Sequence, residues 1–124
     1  MSRSYHEFST WQDKRFRKGL EKLQPKEKVR LADALAELAR LLIHCRHPRQ
    51  DPELHKFDPS PYDRVINLKN LYEYRPGKIA RVAAQVTPQY VLFIAVIHNH
   101  DHEHLKNVLR AHESELRSWV PPRT

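Results

Sequence analysis

Leu71-Tyr72-Glu73-Tyr74-Arg75-Pro76-Gly77-Lys78-Ile79-Ala80-Arg81-Val82 holds two strand-like runs on either side of the clearest turn signal in the chain. Proline presets one turn dihedral and glycine accepts a left-handed one, so Pro76-Gly77-Lys78 is expected to reverse the backbone. The returning run, residues 79–86, turns again at Thr87-Pro88-Gln89 and enters the apolar stretch Tyr90-Val91-Leu92-Phe93-Ile94-Ala95-Val96-Ile97. That stretch reads as a strand buried on both faces. Upstream, Val65-Ile66-Asn67-Leu68 is a further strand signal. Consecutive strands joined by tight turns predict an antiparallel meander. If Pro76-Gly77-Lys78 is a three-residue loop, Arg75 faces Ile79, and Arg75 and Arg81 share one sheet face. A two-residue turn would place them on opposite faces.

Working towards the N-terminus, helix periodicity replaces strand alternation. Phe16, Leu20 and Leu23 form one stripe, with Lys14, Arg15, Arg17, Lys18 and Lys22 largely off it. Ser9 or Thr10 offers an N-cap, with Asp13 as a partial capping box, and Tyr5-His6-Glu7-Phe8 alternates as a short first strand. Pro25 fits the first turn of a second helix, whose seam is Leu31, Leu35, Leu38 and Leu42, broadened by Ala34, Ala39 and Leu41. The joint is short, so an antiparallel helical hairpin is expected. Residues 47–63 contain Pro48, Pro52, Pro59 and Pro61 and therefore form a loop, which carries His47, His55 and Lys56. A final helix spans residues 101–119 on Leu105, Val108, Leu109 and Leu116. The predicted order is β-α-α-β-β-β-α, an α+β fold with an N-terminal helical hairpin packed on an antiparallel β-sheet, one domain over residues 1–124.

Charge is distributed unevenly. The chain carries 22 basic and 15 acidic side chains, and residues 1–50 hold 12 of the former against 6 of the latter. A basic half beside a near-neutral one is the footprint of docking on a polyanion, or else a solubilising surface. The single cysteine, Cys45, excludes an intramolecular disulfide and reads as a small core residue. No apolar signal core or membrane-length run is present, so a cytoplasmic location without membrane contact is expected.

Directly after the apolar strand stand four histidines, His98, His100, His102 and His104, interleaved with Asn99, Asp101 and Glu103. Imidazole exchanges protons near neutral pH, its unperturbed pKa being ~6.5. The run fits acid–base chemistry, a metal, or a solvated helix start. Period-two spacing suits a metal only on an extended strand, and the helix signal begins within the run. The metallohydrolase pattern His-x-His-x-Asp-His is not present, and no metal or cofactor is expected.

The order of elements, with Phe8-Ser9-Thr10 opening a basic helix, residues 71–82, and Val91-Leu-Phe-Ile-Ala-Val-Ile-His-Asn-His-Asp101, resembles the RelE/ParE superfamily of bacterial toxin–antitoxin toxins. Arg75 and Arg81 match the family's strand arginines, Glu73 its preceding acid, and His98 and Asp101 its late His and Asp. The tyrosine that some ribonuclease members carry early in the last helix falls here at Glu103 or His104, and Pro76 interrupts the usual hairpin. The resemblance implies a toxin that cuts mRNA within the ribosome without a metal. A 2′-hydroxyl attacks the adjacent phosphate, a base and an acid move the protons, and cations stabilise the phosphoryl oxygens. Arg81 and Arg75 would hold the phosphate, and His98 or His100, with Glu73, would move protons. His104 would contact a base, while His55 and Lys56 would clamp the backbone. The implied partners are mRNA, the ribosome and a cognate antitoxin forming a hetero-oligomer. The rival within the superfamily is a ParE-like inhibitor of DNA gyrase that catalyses nothing; its branch generally lacks acid–base residues.

Overall fold

A computed structural model describes residues 9–44, 52–62, 64–87, 90–98 and 101–121. The expected first strand at Tyr5-His6-Glu7-Phe8, and the expectations for Cys45 and His47, lie outside the described residues. The elements are β1 (Ser9–Gln12), α1 (Lys14–Glu21), α2 (Pro25–His44), β2 (Ser60–Pro61), β3 (Leu71–Tyr74), β4 (Ala80–Val86), β5 (Tyr90–His98), α3 (His102–Ala111) and α4 (Glu113–Ser118). Two short 3₁₀ turns, Pro52–Phe57 and Pro76–Lys78, precede β2 and β4.

The strands form one five-stranded sheet in the order β1-β5-β4-β3-β2. The meander β3-β4-β5 is antiparallel, as its turns dictate, but β1 pairs with β5 in parallel, Ser9 opposite Tyr90 and Gln12 opposite Phe93. The fully antiparallel sheet expected from the sequence is therefore corrected to a mixed one. Helices also cover both faces. On the first face Phe16, Leu31, Leu38 and Leu42 pack against Tyr74, Val82, Ala84, Phe93 and Val96. On the second, Leu105, Leu109 and Leu116 pack against Leu71, Ala83, Leu92 and Ile94. A strand as apolar as β5 has no side it can leave wet, and two helical layers satisfy it.

Three further expectations are revised. Residues 65–68 form turns rather than a strand; Ile66 and Leu68 still enter the second core, and Asn70, at φ 62°, bends the chain into β3. The link from β3 to β4 is longer than a three-residue loop. Tyr74 pairs with Val82, so the position across from Arg81 is that of Arg75, and Gly77 takes φ 62° within the turn. The expected single C-terminal helix breaks at His112 (φ −120°, ψ 19°) into α3 and α4. Beyond it Trp119 packs edge-on against Trp11 and Tyr90, at centroid distances of 6.4 and 5.2 Å.

Two local features set the rest. α1 is capped by Asp13, which accepts from Arg15 N at 2.9 Å, because Ser9 and Thr10 are still paired in β1. Its Gly19 rides on β5: a Cβ there would stand 2.0 Å from the Val96 carbonyl oxygen and 2.9 Å from Val96 Cγ1. The second is a β-bulge. Ala83 pairs with Ala95 but Ala84 with Phe93, so Ile94 is the extra residue of β5.

Gly19→Ala gains up to about 1 kcal/mol of helix propensity, but it drives a methyl into backbone that cannot rotate away. We expect a net loss of about 1–2 kcal/mol in unfolding free energy, read as a lower urea midpoint with an unchanged m-value.

Candidate functional site

The bulge decides which way the end of β5 points. Leu92, Ile94 and Ala95 all enter the second core, after which Val96 returns to the first, Ile97 packs on the second, and His98 projects to the first. There His98 Nε2 lies 3.1 Å from Glu27 Oε2 at the start of α2. The other oxygen of the same carboxylate, Oε1, accepts from the Gln24 backbone N–H at 3.1 Å. Gln24 precedes Pro25, so this is the carboxylate half of a capping box. Glu27 therefore closes the first turn of α2 and orients an imidazole with one side chain.

β1 ends at Gln12, opposite Phe93, and beyond it the margin of β5 floors a groove of about 460 Å³ between α1 and α3. Arg15 and Lys18 line it from α1 and Lys22 from that helix's C-cap; His98 comes from β5, His104 from α3 and His112 from the α3–α4 break. Asp101 and Val108 also reach it. Gly19 forms part of its wall, and only because this residue has no side chain can α1 sit so low on the strand.

Arg15 ties the groove's ends together. Its Nη1 donates to both oxygens of Asp13 at 2.9 and 3.1 Å, and its Nη2 donates to Glu115 Oε2 at 2.6 Å. Nη2 also lies 3.0 Å from His112 Nδ1. A guanidinium only donates, so His112 Nδ1 must carry the lone pair in this arrangement. The hydrogen bond and charge of Arg15 hold the exposed Glu115 carboxyl below its usual range.

A second polar cluster lies on the opposite face. Glu73 is 2% exposed and accepts from Arg81 Nη1 at 2.6 Å and from the Tyr62 hydroxyl. Burial first, and then the Glu73 carboxylate, push the Tyr62 phenol well above its ordinary value. Arg81 pairs across the sheet with Ile97 and shares its face, whereas His98 points the other way. The convergence of Arg81, Glu73 and His98 on one phosphate, expected from the sequence, is thus not what the fold builds. Arg75 is drawn to a third place, with Nη1 3.8 Å from Asp58 Oδ2 and Nε buried without a hydrogen-bond partner among the described residues.

The remaining candidates are dispersed. Lys56 pairs with Glu37, and its Nζ lies 5.5 Å from the Phe57 ring centre. His55 borders a shallow pocket with Asp58 and Tyr72 at the β2–β3 margin. That margin is three strand spacings from β5, roughly 14 Å. His100 and the side chain of His102 lie outside the described residues. Among the described residues no group of three or more His, Cys, Asp or Glu is placed to hold a metal ion, and no helix is long and apolar enough to cross a membrane.

Of the groove's imidazoles, sequence reasoning singled out His98 and His104 and missed His112. It assigned Lys18 and Lys22 to a basic surface, with nothing to join them to the histidines. The missed signal was the pairing of Glu27 with Pro25, a capping box whose acid stands near the strand end in the fold.

No protein-family model and no curated protein matches the chain. Among solved structures it is similar to a chain of the archaeal RelE–RelB complex from Pyrococcus horikoshii OT3, with a TM-score of 0.50 and 17% identity over 77% of this chain and 98% of that one. It also matches a chain of the RelB–RelE antitoxin–toxin complex from Methanococcus jannaschii, with a TM-score of 0.49 and 15% identity over 90% and 99% of the two chains. The protein thus has a RelE-like fold.

Glu73→Gln should leave Arg81 facing an uncharged amide in a largely dry site. The expected cost is about 3 kcal/mol, visible in urea or thermal unfolding. Loss of activity without loss of stability would instead mark Glu73 as chemical.

Proposed function

We propose that the chain is the toxin of a toxin–antitoxin pair and cleaves mRNA without a metal, with its chemistry in the groove between α1 and α3. One observation carries this reading: three cations (Arg15, Lys18, Lys22) and three imidazoles (His98, His104, His112) line a single concavity. Cations attract and place a phosphodiester, and imidazoles move protons at neutral pH. The fold it shares with a chain of an archaeal RelE–RelB complex supports the toxin assignment and an antitoxin as partner.

In this mechanism His98, steadied by Glu27, takes the proton from a ribose 2′-hydroxyl. The oxygen attacks the adjacent phosphorus, Lys18 and Lys22 meet the charge growing on the phosphoryl oxygens, and His104 protonates the departing 5′-oxygen. The products are a 2′,3′-cyclic phosphate and a 5′-hydroxyl. Arg81 and Glu73 support the sheet instead, and Arg15 fixes the groove's walls. The substrate is presented within the ribosome, and the antitoxin silences the protein by covering this face.

Purified chain, translating ribosomes and an end-labelled message form the test. We expect cleavage that persists in EDTA and leaves cyclic-phosphate ends. His98→Ala should slow it about 10²–10⁴-fold, and Glu27→Gln less. Uncut message at stoichiometric protein overturns the ribonuclease reading, and SOS induction alongside it would favour a gyrase target.

A further inference from the structure

Beyond the groove, the surface of α2 continues it. A broad trough of about 870 Å³ runs over the joint between α1 and α2 and is lined by Lys22, Lys26, Val29 and Arg30. The trough and the groove have Lys22, Glu27 and His98 in common, so they form one channel with His98 at the junction. Lys26 and Arg30 are exposed and stand one turn apart on α2, about 5–6 Å between their Cβ atoms. Between them Val29 is 73% exposed, a large apolar side chain left in water among cations. Among the described residues the one acid common to groove and trough, Glu27, has both oxygens engaged, with Gln24 N–H and with His98, which blunts its repulsion of an anion.

We propose that this trough is a second binding site, which holds the sugar-phosphate backbone of single-stranded RNA flanking the position at His98. Lys26 and Arg30 take the phosphates next along from the one held at Lys22, and Val29 gives an unstacked base an apolar rest. Such a surface is indifferent to sequence, because it meets phosphates rather than base edges. It adds affinity for long substrates without choosing where they are cut. The inference rests on the reading that the groove takes RNA.

Fluorescence anisotropy with 2′-O-methyl oligonucleotides tests it, since these keep the phosphates but lack the attacking hydroxyl. The wild-type protein should bind a labelled heptamer at least tenfold tighter than a trimer. With Lys26→Glu and Arg30→Glu combined, the heptamer should forfeit that advantage. Its salt dependence should also flatten, by about 0.7 in log–log slope for each phosphate that is no longer neutralised. Circular dichroism of the double variant, whose changes are confined to exposed positions, checks that it is folded. Equal affinity for trimer and heptamer in the wild type overturns the second site and leaves the groove standing. Failure of both to bind overturns the two together. A double variant that keeps its heptamer affinity but no longer co-purifies with an acidic protein assigns the trough to a protein partner, and the proposal falls.

Discussion

β5 is the constraint from which this structure follows. Residues 91–96 are buried, and they belong to two cores, one on each side of the sheet. Each apolar side chain taken fully out of water contributes about 1.5–3 kcal/mol, so leaving either face of such a strand uncovered would forfeit several such terms. The chain answers with α1 and α2 on one face and α3 and α4 on the other, and with β1 against the margin of β5 that the meander leaves open. Covering is complete at residues 90–93 and stops there. The groove is what remains where β1 has ended and α1 has not yet filled the space.

Fold and site meet at single atoms. Glu27 completes the first turn of α2 with one oxygen and holds His98 with the other. A cap of this kind is worth about 1 kcal/mol, enough to keep the carboxylate in one rotamer. The imidazole thereby inherits its orientation from helix formation rather than from a dedicated support. Arg15 works similarly: the residue whose backbone N–H meets the cap Asp13 extends its side chain to His112 and Glu115 and binds the α3–α4 break to α1.

Much of this was legible in the sequence. The three meander strands followed from two turns, and α2 from its leucine seam. The parallel pairing of β1 was not legible, because a four-residue strand carries no mark of its partner's direction. The faces of the site residues were hidden for a sharper reason. An unbroken alternation from Leu92 puts His98 on the side of Ile94, which is also the side of Arg81; the one extra residue at the bulge reverses it. Nothing in Phe93-Ile94-Ala95 announces a bulge, since all three are equally apolar. The expected union of Arg81 with His98 thus failed by one residue of register, while Lys18 and Lys22 came to line the groove beside the histidines.

The aromatic corner has a consequence for anyone following this protein by light. Both tryptophans of the chain, Trp11 and Trp119, are in ring contact with one another, with Tyr90 beside them. Intrinsic emission therefore watches the seating of the chain's last turn against β1 and is blind to α2. A melting curve recorded at that wavelength and one recorded by backbone ellipticity will coincide only if this corner lets go together with everything else. Any gap between them measures how independently the tail undocks.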